Sequence, residues 1–140
     1  MIHIKVLLVG KTKEAWLEEA LYEYMKRLSP YIQFEFPIFK DEETLERALE
    51  KEKHVILLDP EGKRMTSEMF ADWLFSEIEK GASHVSFAIG GPLGFSQKVR
   101  EKYPLLSLSS LTFTHQMARL ILLEQIFRAF EIKKGSHYHK

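Results

Sequence analysis

The sequence predicts an α/β fold, a mostly parallel sheet with helices on both faces. Short apolar, β-branched segments alternate along the chain with segments in which apolar residues recur every three or four positions. The connections between these segments are short, and no repeat, linker or low-complexity stretch interrupts them. A chain of 140 residues has room for one hydrophobic core, so we expect a single domain spanning residues 1–140.

Five segments have the composition of β-strands. Each is short and rich in Val, Ile, Leu or Phe. They are His3–Val9, Ile32–Ile38, His54–Leu58, His84–Ile89 and Leu105–Leu108. Pro37 lies near the end of the second segment, and because proline cannot donate to a sheet ladder it predicts an edge position or a strand end.

Five further segments have the periodicity of amphipathic helices. They are Glu14–Leu28, Asp41–Glu52, Thr66–Lys80, Ser96–Lys102 and His115–Ile132. Asp41 and Thr66 are predicted N-caps, and Gly81 and Gly135 follow two of the helices as glycine commonly does. The last helix is apolar around most of its circumference. One face of a sheet cannot cover all of these side chains, which suggests a second contact such as a subunit interface.

Composition excludes several classes of protein. There is no cysteine, which rules out disulfide scaffolds, thiolate metal sites and cysteine nucleophiles. The longest strictly apolar runs, Val6–Val9 and Leu120–Leu123, are far too short to span a membrane. The N-terminus lacks the basic segment and cleavage site of a signal peptide. We therefore expect a soluble, cytoplasmic protein with no membrane partner.

The net charge of zero conceals an uneven distribution. Residues 1–89 carry 12 basic and 17 acidic side chains, whereas residues 90–140 carry 8 basic and 3 acidic ones. The C-terminal part therefore has a net charge of +5, which either marks a surface for a polyanion or is a chance partition of solvated charges. Overall neutrality argues against strong non-specific binding of nucleic acid.

Glycine and turn residues follow three of the predicted strands, at Gly10, Asp59–Gly62 and Gly90–Gly94. In parallel sheets ligands bind beyond the carboxyl ends of the strands, so three such loops together favour a binding site over simple tight turns. The P-loop and G-x-G-x-x-G spacings are absent, which disfavours ordinary dinucleotide binding. Hydrolase motifs are absent too. His137 and His139 have no third partner in sequence, so no metal is expected.

The C-terminal segment has an unusual composition. Ser136–Lys140 places an aromatic ring, two imidazoles and a cation in five residues. Such a segment is either a disordered tail or one that orders over a substrate, with its ring stacked on a base and its cations against phosphates. Arg119, Glu124 and Arg128 share the preceding helix, either as an ion-paired set or as substrate contacts.

Five motifs occur in an order that resembles a known family. They are Leu58–Gly62, Phe87–Gly94, Leu108–Gln116, Leu123–Ala129 and Tyr138–Lys140. The sequence is similar over essentially its whole length to the RlmH (YbeA-like) ribosomal RNA large-subunit methyltransferases of the SPOUT superfamily. It departs from that pattern at Thr114, where proline is frequent, and at Phe127, where tyrosine is common.

The resemblance implies a single SPOUT domain with a C-terminal trefoil knot, acting as a homodimer. It implies binding of S-adenosylmethionine in the knot and methylation of N3 of a pseudouridine in large-subunit rRNA on the assembled ribosome. The implied cofactor residues are Leu58, Gly90, Leu108, Ser109, Ser110, Leu111, Thr112 and Phe113. The implied substrate-side residues are Arg128, Tyr138, His139 and Lys140, with the tail completing the partner subunit's site.

The chemistry of this reaction suggests a role for each substrate-side residue. The imide proton must leave before or during attack, so His139 is a candidate general base and Arg128 or Lys140 a candidate cation for the resulting negative charge. Tyr138 is suited to stacking on the base. Two alternatives are a SPOUT methyltransferase acting on tRNA and a non-enzymatic nucleotide- or RNA-binding module of flavodoxin-like architecture. The tail argues against the first, and the second leaves the tail and the basic C-terminal part unexplained.

Overall fold

The computed structural model describes every residue, Met1–Lys140, and contains one six-stranded parallel sheet. The strands are β1 (Ile2–Val9), β2 (Ile32–Glu35), β3 (Ile38–Phe39), β4 (Val55–Arg64), β5 (His84–Ile89) and β6 (Leu105–Ser107). Their order across the sheet is β2-β1-β5-β4-β6, and β3 pairs with β1 beyond the end of β2. Every pairing is parallel, which confirms the predicted fold class.

Four α-helices lie between strands, and a fifth follows the last strand. They are α1 (Ala15–Leu28), α2 (Glu42–Ala48), α3 (Ser67–Lys80), α4 (Gln97–Lys102) and α5 (His115–Lys134), and a 3₁₀ turn at Leu49–Lys51 follows α2. The predicted caps are confirmed, since Asp41 accepts from the N–H of Thr44 at 2.8 Å and Thr66 from that of Met69 at 3.1 Å. Gly135 ends α5 at a φ of +71°, a left-handed conformation that glycine adopts without strain.

The two faces of the sheet bury two apolar clusters. The larger cluster joins one face of the sheet to α1, α3 and α5, and it contains Ile4, Val6 and Leu8. The smaller cluster lies on the other face, where Leu7 and Val9 pack with side chains of α2 and its 3₁₀ turn. Alternate residues of β1 thus point to opposite faces and both are buried, which is why this strand is a continuous apolar run in the sequence.

Two sequence predictions about strands need correction. Ile32–Ile38 is not one strand, because β2 ends at Glu35 and pairing with β1 resumes as β3 at Ile38. The interruption at Phe36 and Pro37 agrees with the prediction that Pro37 marks a strand end. Asp59–Gly62 is not a turn that ends a strand, because β4 continues to Arg64. Leu58 and Lys63 both pair with Leu106, so the four residues between them bulge out of the ladder.

Helix α5 packs against α1 and α3 as well as against the sheet. The side chains of Leu122, Leu123 and Ile126 are fully buried within the single chain. Much of its apolar circumference is therefore covered by helices of the same chain, whereas Met117, Leu120 and Ile121 remain partly exposed. None of the helices combines the length and apolar character that crossing a bilayer requires.

Candidate functional site

A cavity of about 720 Å³ opens at the bulge of β4 and at the carboxyl ends of β5 and β6. This volume is within the range of roughly 300–1,000 Å³ that is usual for small-molecule sites. Its walls are the bulge of β4, the glycine loop after β5, the loop between β6 and α5, and the first turns of α1 and α5. We call this cavity the pocket.

Seven of the eight residues proposed for the cofactor line the pocket. They are Leu58, Gly90, Leu108, Ser109, Leu111, Thr112 and Phe113. Ser110 is exposed and does not line it; its hydroxyl accepts a hydrogen bond from the guanidinium of Arg64. Residues that are up to 55 positions apart in the chain thus meet in one cavity, whereas Gly10, the third glycine site of the sequence prediction, is outside the lining.

The glycine loop after β5 folds closely on itself. The N–H of Gly94, at a φ of +70°, donates to the carbonyl of Gly91 at 3.0 Å, and a Cβ on Gly90 would lie 3.3 Å from the backbone of Gly94. The Glu42 carboxylate of α2 accepts from the N–H of Leu93 at 2.9 Å. Glu42, which no motif in the sequence singled out, therefore holds the glycine loop of the pocket from a different element.

The loop between β6 and α5 is held by serine side chains. Ser107 donates to the carbonyl of Ser109 at 2.9 Å, and the Ser109 hydroxyl accepts from the N–H of Leu111 at 2.9 Å. The backbone N–H groups of Thr112 and Phe113 bond to no group of the protein. Because both residues line the pocket, these donors are suited to meet a polar ligand there.

The first turn of α5 also holds the loop that leads from β1 into α1. The Gln116 side chain accepts from the N–H of Lys13 at 3.1 Å and donates to the carbonyl of Lys11 at 3.0 Å. His115 lines the pocket, and its buried Nδ1 has no hydrogen-bond partner. Burial lowers the pKa of His115, and the positive charges of Arg119 and Lys13 lower it further, so the imidazole is neutral at physiological pH.

Arg119 makes neither the ion pair nor the substrate contact considered from the sequence. It is only 1% exposed, and its guanidinium donates to the carbonyls of Val9 and Gly10 at 2.9 Å and to the hydroxyl of Thr12 at 3.0 Å. Burial lowers its pKa, yet an arginine so far above neutrality keeps its charge. Arg119 thus ties α5 to the end of β1.

An ion pair holds the bulge that forms the β4 wall of the pocket. Asp59 is buried, and its two carboxylate oxygens lie 3.1 and 3.2 Å from Nε and Nη2 of Arg100. Nη2 of Arg100 also contacts Glu61. Asp59 in addition accepts from the N–H of Glu61 at 2.9 Å, so one carboxylate fixes both the backbone and the salt bridge.

The C-terminal tail is docked on α5, and a disordered tail is therefore the wrong interpretation. The Tyr138 hydroxyl donates to Glu124 at 3.1 Å, and its ring meets Phe127 edge-on at 4.8 Å. The Arg128 guanidinium lies 4.9 Å from the centre of the same ring. Burial, then hydrogen bonds and charge from Tyr24 and Glu124, raise the pKa of Tyr138, so the phenol keeps its proton.

His139 joins Arg128 to α3. Its Nδ1 lies 3.1 Å from Nη1 of Arg128, and its Nε2 lies 3.2 Å from the Glu68 carboxylate. Arginine can only donate, so Nδ1 is the acceptor and the proton of a neutral ring is on Nε2. Lys140 is exposed and makes no ion pair. The structure thus brings three of the four substrate-side residues together, in a tail cluster of Glu68, Glu124, Arg128, Tyr138 and His139.

The chain is similar over its whole length to known methyltransferases. Residues 2–139 match the family described as "Predicted SPOUT methyltransferase". The chain is 48% identical over 140 residues to ribosomal RNA large subunit methyltransferase H of Protochlamydia amoebophila, covering all of both chains. It is 41% identical to the proteins of the same name from Streptococcus uberis, over 98% of this chain and 99% of that one, and Desulfitobacterium hafniense strain DCB-2, over all of both. The chain belongs to the ribosomal RNA large subunit methyltransferase H family of SPOUT methyltransferases.

In this member of the SPOUT methyltransferases the pocket and the tail cluster lie at different points along α5. The last residue of α5 that lines the pocket is Ala118, and Glu124 is six residues further on. At 1.5 Å per residue this is about 9 Å along the helix axis. No residue of the tail cluster lines the pocket of the same chain. The chain contains no group of three His, Asp or Glu side chains that could hold a metal ion.

Proposed function

We propose that the chain transfers the methyl group of S-adenosylmethionine to N3 of a pseudouridine in large-subunit rRNA, within the assembled ribosome. The observation that carries the proposal is the meeting of Leu58, Gly90 and five residues of the Leu108–Phe113 run in one pocket. The names of the relatives support the class of substrate. A ribosomal substrate would make the cytoplasm the site of action.

The pocket fits the proposed cofactor in size and in chemistry. Leu58, Ile89 and Leu108 offer apolar surface for an adenine ring, and the unpaired N–H groups of Thr112 and Phe113 offer donors for its polar atoms. The close turn at Gly90 lets a ligand approach the backbone, since a side chain there would occupy that space. When bound, S-adenosylmethionine supplies a methyl group on a sulfonium that is ready for in-line displacement.

The residues of the tail cluster are suited to the acceptor base. During transfer a bond forms from N3 to the methyl carbon, the bond from that carbon to sulfur breaks, and N3 loses its proton. Arg128 is a permanent cation that can stabilise negative charge on the base, with Lys140 as a second cation, and Tyr138 can stack on the ring. His139 accepts the proton only after its Nδ1 has left Arg128, because both ring nitrogens are occupied in the docked tail.

We propose further that the enzyme is a homodimer in which one tail completes the partner's pocket. The separation of about 9 Å between the pocket end of α5 and Glu124 supports this, since the tail does not reach the pocket of its own chain. Trp16 and Leu111 also line the pocket while remaining 55% and 72% exposed. A second copy over this opening would cover two large apolar side chains.

The family's trefoil knot is part of the same proposal. Its support in this chain is the bulge of β4, where a Cβ on Gly62 would lie 2.6 Å from the backbone of Leu105 and Leu106. Two backbone segments that are 43 residues apart pass each other there with no room for a side chain. Such close passage is what one segment threading past another requires.

The direct test supplies radiolabelled S-adenosylmethionine to the purified protein with ribosomes that lack the modification. We expect label on a single large-subunit pseudouridine, mapped by nuclease digestion and mass spectrometry, and far less on naked rRNA. Ribosomes that already carry the modification are the matched control and should take up no label. Label on tRNA would favour the tRNA alternative, and no binding of S-adenosylmethionine would favour a non-enzymatic module.

Mixing two inactive variants tests the shared site. Gly90→Val blocks the pocket and leaves the tail intact, whereas Arg128→Ala removes the cation of the tail and leaves the pocket intact. If one tail serves the partner's pocket, mixed dimers contain one intact composite site and recover activity. A monomer in sedimentation at micromolar concentration, or no recovery after mixing, would contradict the shared site.

A further inference from the structure

Glu124 is hydrogen-bonded to two other residues of the tail cluster, Arg128 and Tyr138. Its Oε1 accepts from Nε of Arg128 at 3.1 Å and from the Gln125 amide at 3.0 Å. Its Oε2 accepts from Nη2 of Arg128 at 2.9 Å and from the Tyr138 hydroxyl at 3.1 Å. Four hydrogen bonds occupy the carboxylate, so Glu124 itself has little capacity left to touch a substrate.

The geometry of these bonds determines which part of Arg128 is presented. Glu124 binds the edge of the guanidinium formed by Nε and Nη2, in the two-pronged manner typical of arginine and carboxylate. Nη1 is turned away from Glu124 and meets His139. When His139 moves aside, Nη1 is the donor left for a base. The hydrogen bonds to Glu124, and then its negative charge, also raise the pKa of Arg128.

Glu124 connects the helix to the tail as well. The Tyr138 hydroxyl bonds to the same carboxylate that orients Arg128, and the ring of Tyr138 lies against that guanidinium. The relative placement of the cation and the aromatic ring is therefore set by one side chain. A base that stacks on Tyr138 would meet Arg128 at a distance fixed by Glu124.

We propose that Glu124 is a positioning residue for the methyl transfer: it orients Arg128 so that Nη1 faces the acceptor base, and it sets Tyr138 beside it. This inference rests on the proposed function. A positioning role differs from a role in stabilising the helix alone. The chain contains a second ion pair that allows the two roles to be compared. Glu23 and Arg27 form an ion pair of the same i,i+4 spacing on α1, with Nε and Oε2 2.9 Å apart, and Glu23 forms no hydrogen bond or ion pair with the tail.

Glu124→Gln, with Glu23→Gln as the matched control, tests the proposal through activity. The glutamine amide has nearly the same shape, but it replaces one acceptor with a donor that faces the guanidinium. We expect kcat on ribosomes to fall about a hundredfold, the scale of a misplaced catalytic group. The Kd for S-adenosylmethionine should stay within about twofold, because Glu124 does not line the pocket. Glu23→Gln should retain the activity of the unchanged protein.

Nitrogen-15 NMR of the arginine Nε–H groups tests the same positioning without any substrate. The Arg128 signal, assigned by its loss in Arg128→Lys, should be protected from solvent exchange in the unchanged protein. It should lose that protection in Glu124→Gln, whereas Glu23→Gln should affect only Arg27. If Glu124→Gln does not fold, Glu124→Asp makes the same test, since it is one methylene too short to hold both partners.

The two readouts separate failure of the inference from failure of the proposed function. An unchanged protein that does not methylate ribosomes refutes the proposed function, and the NMR comparison still reports whether Glu124 holds Arg128. An Arg128 signal that keeps its protection in Glu124→Gln overturns the inference. So does a kcat for Glu124→Gln within a few-fold of the unchanged protein.

Discussion

Replacing Arg119 by methionine should destabilise the fold by about 3 kcal/mol. The guanidinium is 1% exposed and donates to two backbone carbonyls, of Val9 and Gly10, and to the hydroxyl of Thr12. A buried acceptor that loses its donor costs about 1–3 kcal/mol, so the two carbonyls together set a range of about 2–6 kcal/mol. The low half of that range applies, because methionine fills most of the space and removes a buried charge that has no carboxylate partner.

Denaturant unfolding measures this effect. The midpoint should fall with an unchanged slope, and at about 3–4 °C per kcal/mol for a chain of this size Tm should drop by about 10 °C. Arg64→Met is the control, since Arg64 is exposed and should change stability by no more than about 0.5 kcal/mol. Arg119→Met should also bind S-adenosylmethionine less tightly, because the loop that Arg119 holds carries Lys13 and Glu14 of the pocket. Stability equal to that of the unchanged protein would refute the argument.

Three further predictions concern backbone conformation at glycine, the pH dependence of stability, and the general base of the proposed reaction. Gly62→Ala should prevent stable folding, since its Cβ would lie 2.6 Å from the Leu105 backbone. Gly10→Ala should destabilise the fold by only about 1–2 kcal/mol, because Gly10 has a φ of +77° but no atom near its Cβ position. Circular dichroism and denaturant unfolding compare the two variants. The lowered pKa of His115 means that the folded state binds its proton less readily than the unfolded state, so stability is present above about pH 6.5 and lost as pH falls below it. Unfolding at pH 7 and pH 5 should show a smaller loss in His115→Gln, and an equal loss would contradict this. His139→Gln should lower kcat about 10²–10⁴-fold if His139 is the base, and a rate near that of the unchanged protein across pH would leave it only a binding role.

Local signals in the sequence were sufficient for most of the fold. Asp41 and Thr66 cap the helices they were expected to cap, and β5 has the predicted bounds His84–Ile89, because a cap or a buried strand depends on neighbouring residues. The bulge at Asp59–Gly62 could not be predicted in this way. Its residues are typical of a turn, but pairing with β6, more than 40 residues later, carries β4 on to Arg64.

In the candidate site too, local motifs were found from the sequence and partners distant in sequence were not. Seven of the eight residues that the motif resemblance implies for the cofactor line the pocket, since glycine turns and the Leu108–Phe113 run are contiguous in sequence. The resemblance did not identify the polar side chains that hold those loops. Glu42 reaches Leu93, Arg100 reaches Asp59, and Gln116 reaches Lys11 across separations of 51, 41 and 105 residues. Charged and amide side chains are common on any surface, so nothing local distinguishes such partners before the fold brings them together.

Helix α5 connects both halves of the proposed site. Its first turn lines the pocket and its later turns carry Glu124 and Arg128, so the distance between cofactor and tail within one chain is set by a single helix of 20 residues. Arg119 and Gln116 fix this helix to the end of β1, and it cannot slide to bring its own tail over its own pocket without breaking those bonds. Under the proposed function, the cofactor and the substrate-side residues therefore meet only across a subunit interface. Dimerisation would then be a condition for chemistry, and activity should fall with dilution at the concentration where the dimer dissociates.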